Sequence, residues 1–484
     1  MDSGGDKLDG NPDIWVDVTT ILRWNRPAVG VVRVEEQLAR WILDHPTGSI
    51  RFCRYDQPLR TFEEVPSEDV VARLALYRQI AVNFAAASNA NSAIPKQEKR
   101  IKRSKKTAKK ILRRVTSKLR RAFKPALQRR FLNVLALHGA LDTRTQAPPF
   151  NDIEETPPPI ACIFRHGDVY VSVGADWDDN DLKKLYEYKQ ATQLKVIGIC
   201  YDTIPIKFPH LTLEGVAQIF PKYLVDLAWA CDHVMCISAC TQRDFQEFVT
   251  SVGAPVPPTS VIVLGNNLSP TTAPVVDRAS PEDAGRKFGL AADALRSQIA
   301  DIVNNPFILF VSTIERRKNH ETLYKAWARL IDAGCAVPNL VCVGMRGWGV
   351  GDLLADMSRD PRVQGRIHIL PNVSDAELAC LYELCQFTVY PSIYEGWGLP
   401  VAESLGFGKF CLCSNAGSLM EAGGMFAEYL DPWDVPAWIE RIRFFSQNPA
   451  EIEILNQRAA MHFKAQSWSD TSAAIVERAR TLVR

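Results

Sequence analysis

Apolar residues in this chain come in short runs, separated by stretches whose apolar positions return every three or four residues. These are the periods of buried strands and amphipathic helices. The first run, Ile14-Trp-Val-Asp-Val18, predicts a strand. A loop with Gly30 follows, then helical spacing through Val34, Leu38 and Trp41-Ile42-Leu43, then a second strand at Ile50–Arg54. Further strands are expected at Val169–Val173, Val196–Cys200, Val234–Ile237 and Val261–Leu264, with helices at Pro221–Cys231 and Gln242–Val249 between them. After a stretch rich in Pro, Ala and Asp over 270–303, a second series begins. Its strands are Phe307–Val311, Leu340–Val343, Ile367–Leu370, Phe387–Tyr390 and Phe410–Cys413, each followed by a helical or loop pattern.

Strands alternating with helices mean βαβ units on a parallel sheet. Two such series predict two consecutive doubly wound α/β domains, with ligands at the carboxyl ends of the strands in the cleft between them. The expected division is 1–270 for the first domain, with a basic insertion over 90–150, and 271–460 for the second. Residues 461–484 are expected to form a helix that returns to the first domain.

Composition places the chain among soluble globular proteins: 484 residues, 46% hydrophobic and 23% charged, room for two or three domains. No window approaches 18 consecutive apolar residues, and Met1-Asp-Ser-Gly-Gly-Asp-Lys7 has no apolar signal core. Twelve cysteines without a C-x2-C pair read as reduced core thiols rather than a disulfide framework or a zinc site. Both observations predict a cytoplasmic protein.

The net charge of +2 conceals a segregation. Residues 96–130 hold 17 Lys/Arg and a single acid, Glu98, which leaves 40 basic and 54 acidic residues elsewhere. Within this segment Ile101, Ala108, Ile111-Leu112, Val115, Leu119, Ala122-Phe123 and Leu127 recur at helical steps, with Pro125 as a kink or an end. A basic amphipathic helix of this kind suits an anionic membrane surface, each cation contributing on the order of 1 kcal/mol. A helix packed within the chain or on a partner is the second reading. Nucleic acid is disfavoured, because only Phe123 and Phe131 supply aromatic faces.

The densest chemistry lies in Tyr390-Pro-Ser-Ile-Tyr-Glu395-Gly-Trp-Gly-Leu-Pro-Val-Ala-Glu403. An apolar strand precedes it and a helix is expected from Val401, with Pro400 at an early position where a missing N–H costs nothing. A strand–loop–helix junction offers unpaired N–H groups and a positive dipole end to a phosphate. The carboxylates on either side can accept hydrogen bonds from sugar hydroxyls. Ser312-Thr-Ile-Glu-Arg-Arg-Lys-Asn-His320 follows another strand, and three successive cations there suit a diphosphate in a cleft. His320 reads as a helix-start residue. Gly417-Ser-Leu-Met-Glu-Ala-Gly-Gly424 follows a third strand, with glycines that let backbone approach a ligand. Asp176-Trp-Asp-Asp-Asn-Asp181 carries two readings: an Asp-x-Asp site for Mn²⁺ or Mg²⁺, or acids at a helix N-terminus, which the dipole favours.

Taken in order, Thr313–His320, Asn372-Val-Ser-Asp-Ala-Glu-Leu378, Tyr390–Pro400, Glu403 and Ser414-Asn-Ala-Gly-Ser418 resemble the family 4 retaining glycosyltransferases of GT-B fold, a group rich in polysaccharide mannosyl- and rhamnosyltransferases. The match is dense over about 305–430. Thinner echoes are Asp17-Val-Thr19, Gly30-Val-Val-Arg33, Tyr201-Asp-Thr-Ile-Pro205, Ser238 and Leu264-Gly265. The resemblance implies that Glu395 contacts hydroxyls of the transferred sugar and that Glu403 holds the nucleotide ribose. It implies that Lys318 and Arg317 neutralise the donor diphosphate, with Thr313 and Arg316 beside them. Backbone of Gly396, Trp397, Gly398, Leu399, Gly417 and Ser418 is implied close to the donor, and Gly30 lets the first domain approach the reaction centre. Many relatives carry Arg where Thr313 stands, so Arg316 or Arg317 has to compensate. Many also carry His-Asp at Tyr201-Asp202, which leaves the role of Asp202 open between acceptor contact and base.

The implied activity is transfer of mannose or rhamnose from a nucleoside-diphosphate sugar to a glycan, lipid-linked, without a metal or other cofactor. The place implied is the inner face of the membrane. A sugar-nucleotide epimerase of the same fold and a non-catalytic binding module are the alternatives.

Overall fold

The computed structural model describes residues 12–25, 30–77, 162–267 and 297–483. They contain two doubly wound α/β units. The first sheet has the order β3-β2-β1-β4-β5-β6-β7, where β1 is Ile14–Asp17, β2 Ile50–Asp56, β3 Thr61–Val65, β4 Val169–Val171, β5 Lys195–Cys200, β6 His233–Cys236 and β7 Thr259–Val261. All its pairings are parallel except β2 with β3. The second sheet has the order β10-β9-β8-β11-β12-β13, where β8 is Phe307–Val311, β9 Asn339–Val343, β10 Ile367–Leu370, β11 Thr388–Tyr390, β12 Cys411–Ser414 and β13 Ala427–Leu430. It is parallel throughout. In both sheets the chain winds outward, returns to the middle and winds out the other way. The second reverses between β8 and β11, and an open α/β sheet binds its ligand outside the carboxyl ends of the strands at that point.

The central strands are apolar on both faces, as sheets covered by helices require. Ile14, Trp15, Val16, Val169, Tyr170, Ile308, Leu309 and Phe310 are all buried. Two edge strands went unread in the pattern. In β3, Thr61-Phe-Glu-Glu-Val65, Phe62 and Val65 are buried on opposite faces with the two glutamates between them, so no apolar run or alternation appears; β13 is half-exposed along its length. The strand expected at Val261–Leu264 pairs two residues earlier, as β7, while Ile262 and Leu264 are buried just beyond it. Pro221 lies inside the helix Glu214–Ala230 rather than opening it. The stretch expected as a connection over 270–303 falls largely outside the described residues, but its end is a helix, Ser297–Val303, because Ile299 and Ile302 bury against Phe307 and Leu309. The last helix, Trp468–Val483, packs on the helix Val31–Asp44 and on β4 of the first unit. There Thr471 Oγ1 donates to the Val263 carbonyl at 2.8 Å. The basic segment 96–130 lies outside the described residues. Among those described, no helix is long and apolar enough to cross a membrane.

Candidate functional site

The carboxyl end of β8 runs through Ser312–Glu315 into a single 3₁₀ turn, Arg316–Lys318. Asn319 then takes a left-handed conformation (φ 59°) and the helix His320–Asp332 begins. The turn is fastened to the loop that leaves β11. Asn319 Nδ2 donates to the carbonyl of Pro391 at 3.1 Å and to that of Pro432 at 2.8 Å. Ile393 N donates to the Arg317 carbonyl at 2.8 Å. These bonds bring the cations beneath Glu395. One Glu395 oxygen accepts from Lys318 Nζ at 2.5 Å, and the other lies 2.8 Å from Arg317 Nη1. Tyr390 OH at 3.3 Å and the Ser392 hydroxyl also donate to the first oxygen. Arg317 Nη2 reaches Glu315 at 2.8 Å.

The electrostatics follow from that packing. Burial alone would raise the Glu395 carboxyl, yet Arg317 and Lys318 overcome it and hold the group down at about 2. Burial and the neighbouring Arg317 push Lys318 below its ordinary value, opposed by Glu395. Two cations, Arg317 and Lys318, therefore face two carboxylates, Glu395 and Glu315. Burial pushes His320 down to about 3, so it is neutral here, a buried helix-start residue lying on Phe310.

Glu403 sits in the second turn of the helix Leu399–Gly406, which Gly398 opens at φ 117° with Pro400 in its first turn. Tyr382 OH donates to Glu403 Oε2 at 2.9 Å. Burial raises the Glu403 carboxyl to about 7, against the pull of Arg33. Arg33, on the first turn of Val31–Asp44, crosses from the first unit to grip both oxygens of Asp375 at 2.9 and 3.1 Å. Gly30 caps that helix with φ 54° and is exposed.

The glycine loop after β12 completes the wall. Ser418 N donates to the Glu395 carbonyl at 3.2 Å, and its hydroxyl donates to the carbonyls of Glu395 (3.0 Å) and Trp397 (2.8 Å). Gly417, at φ 62°, lies against the Glu395 backbone. From the first unit, Thr241 Oγ1 donates to the Gly396 carbonyl at 3.2 Å, and the Tyr201 carbonyl faces Gly396 with no room for a side chain. Glu421 accepts from the N–H groups of Ala239 and Cys240 at 2.7 Å, closing a helix N-terminus across the cleft. Asp202 is half-buried at this seam and accepts from Ile204 N at 2.9 Å. Burial raises it, with Arg317 opposing. Burial also raises Tyr201, whose hydroxyl donates to the Val173 carbonyl.

The structure thus gathers Glu395, Lys318, Arg317, Gly396, Trp397, Gly398, Gly417, Ser418 and Asp202 at one seam, with Glu403 along the next helix. Arg316 and Thr313 stand apart. Both are exposed, and Arg316 reaches the Gly349 carbonyl at 2.8 Å rather than Glu395, so Arg317 is the arginine placed on the carboxylate. Tyr390, Ser392, Glu315 and Asp375 lie inside the motifs of the sequence, yet no spacing there marks them as partners, and Tyr382 lies outside them. Among the described residues no cluster of ligand-type side chains is arranged for a metal. Asp176 accepts from Ser172 and Asn180, and Asp181 caps the helix Leu182–Thr192 through Lys184 N.

Residues 292–467 match the family described as glycosyl transferases group 1. The serotype-specific mannosyltransferase WbdA of Escherichia coli is 27% identical over 206 residues, 43% of this chain and 24% of that protein. The O-antigen chain mannosyltransferase B of Escherichia coli is 34% identical over 171 residues, 35% of this chain and 44% of that protein. The chain therefore spans less than half the length of these curated relatives. A sucrose-phosphate synthase from Thermosynechococcus elongatus superposes over 97% of this chain and 99% of its own, with a TM-score of 0.54 at 15% identity, a likeness of fold. The fold is GT-B.

Proposed function

Residues 292–467 form a glycosyl transferases group 1 domain, and from that premise we propose that the chain is a retaining glycosyltransferase using a nucleoside-diphosphate sugar. Mannose is the favoured sugar, because the Escherichia coli relatives are mannosyltransferases; rhamnose is the second choice. The observation that carries the reading is the Lys318–Glu395–Arg317 cluster at the β8/β11 switch point. There the cations can neutralise the departing diphosphate, electrostatic stabilisation of the kind that dominates such chemistry. Glu395 would then hold hydroxyls of the transferred sugar and Glu403, with its Tyr382 partner, the ribose. Asp202 borders the side from which an acceptor arrives, and the leaving phosphate can itself accept the acceptor's proton. With charge supplied by Lys318 and Arg317, no metal is needed.

The test is a panel of GDP-, UDP- and dTDP-sugars in EDTA, read as thermal stabilisation. One donor should raise the unfolding midpoint progressively with concentration and should be consumed only when a glycan acceptor is present. Stabilisation by none of them would overturn the reading, and conversion of the donor without acceptor would identify an epimerase.

The acceptor is taken to be a lipid-linked glycan, on the strength of the basic segment. Its 17 cations and apolar stripe favour an anionic bilayer, on the inner face of the membrane. Removing 96–130 is expected to abolish sedimentation with phosphatidylglycerol vesicles while sparing transfer to a water-soluble acceptor. Unchanged sedimentation would sink the membrane assignment.

A further inference from the structure

One ion pair among the described residues joins the first unit to the second. Arg33 Nη2 lies 2.9 and 3.1 Å from the two oxygens of Asp375. Neither side chain serves its own helix. Arg33 sits in the first turn of Val31–Asp44, where a cation opposes the helix dipole and no acid accompanies it. Its side chain is only 16% exposed, drawn down into the seam. Asp375 opens the helix Asp375–Leu384, but that end is already capped. Ser374 Oγ accepts from Glu377 N at 3.2 Å, and Glu377 accepts in turn from Ser374 N at 2.9 Å. The Asp375 carboxylate is thus left over for Arg33.

The same helix carries a residue of the donor wall. Tyr382, two turns after Asp375 and fully buried, supplies the one hydrogen bond to the Glu403 carboxylate among the described residues, at 2.9 Å. The helix is therefore gripped by the first unit near its start and grips Glu403 near its end. Arg33 also acts on Glu403 through space. Burial raises that carboxyl, Arg33 and then the Tyr382 hydroxyl oppose the rise, and Asp375 adds to it. A carboxylate that is to accept from two neighbouring hydroxyls has to be ionised and correctly aimed. Arg33 favours both from the opposite unit, through a pair with exposed Asp375 that adds little to the stability of the fold.

We propose that Arg33 is a positioning residue for the nucleotide ribose, fastening the helix that carries Tyr382 so that Glu403 meets the ribose hydroxyls when the units are closed. The assignment rests on the transferase reading above and deepens it. Selection of a ribonucleotide over a deoxyribonucleotide then depends on the first unit, opposite the donor wall.

The experiment measures dissociation constants by titration calorimetry for GDP, UDP and their 2′-deoxy counterparts. The proteins are the unaltered chain, Arg33→Gln, Arg33→Lys, Asp375→Asn and the double variant Arg33→Gln/Asp375→Asn. The unaltered protein should bind one ribonucleotide about tenfold more tightly than its deoxy form, the worth of one charge-assisted hydrogen bond. Arg33→Gln should weaken that ribonucleotide about tenfold and its deoxy form hardly at all. Asp375→Asn, which leaves the cation beside Glu403, should weaken it less, and the double variant should be no weaker than Arg33→Gln. Arg33→Lys, which keeps the charge, should retain most of the preference. Equal losses for the ribo and deoxy forms would reduce Arg33 to a brace between the units and overturn the assignment, as would undiminished preference in Arg33→Gln. Binding of neither ribonucleotide by the unaltered protein would overturn the transferase reading and this inference with it, a result distinct from failure of the inference alone.

Discussion

Lys318→Ala is expected to lower the rate of transfer at saturating donor by two to three orders of magnitude, about 3–4 kcal/mol of transition-state stabilisation. The folded state should survive. Lys318 shares Glu395 with Arg317, so the alanine leaves the carboxylate paired at 2.8 Å rather than stranded. Glu395→Gln goes the other way. It removes the counter-charge of two buried cations, and only Glu315 remains to balance Arg317. Because both substitutions act on one cluster, their effects should be far from additive, with the double variant scarcely slower than the worse single one. Initial rates with each variant, alongside thermal midpoints of the ligand-free proteins, decide the matter. Full activity in Lys318→Ala would remove this group from the site.

The tendency behind that expectation could be read from the chain in large part. Strand–loop–helix order, the cationic loop after Phe307–Val311 and the carboxylates on either side of Gly396–Gly398 are local patterns, and local patterns survive in one dimension. What could not be read is who faces whom. Nothing in Arg316-Arg317-Lys318 says which arginine turns inward; that is settled by the 3₁₀ turn and by Asn319, whose left-handed backbone and side-chain bonds to Pro391 and Pro432 rotate Arg317 onto Glu395 and leave Arg316 outside. The Arg33–Asp375 pair joins residues 342 apart in the chain, and no spacing rule links them. Likewise β3 and β13 show no apolar run of the kind that marks a central parallel strand, because at the sheet edges β3 buries only Phe62 and Val65 and β13 stays half-exposed throughout.

Gly396→Ala carries the second large effect, and it separates catalysis from stability. A methyl group there would lie 2.2 Å from the Tyr201 carbonyl oxygen and 2.9 Å from Asp202 Cβ, contacts no packing tolerates. Tyr201 and Gly396 belong to different sheets, so the clash can be relieved by parting the units at the seam, without unfolding either. Transfer should therefore fall at least about 100-fold, as expected when reacting groups are moved by about an ångström, while the thermal midpoint changes little. Gly417→Ala is the contrasting case. Its methyl would meet the Glu395 carbonyl at 2.4 Å within the same unit, and its φ of 62° adds about 1–2 kcal/mol of backbone strain. No parting of the units relieves that, so Gly417→Ala should lose both activity and several degrees of stability. The radius of gyration from X-ray scattering should increase for Gly396→Ala alone. Wild-type kinetics in Gly396→Ala would mean that the seam between Tyr201 and the Glu395 loop is not the geometry in which the enzyme works.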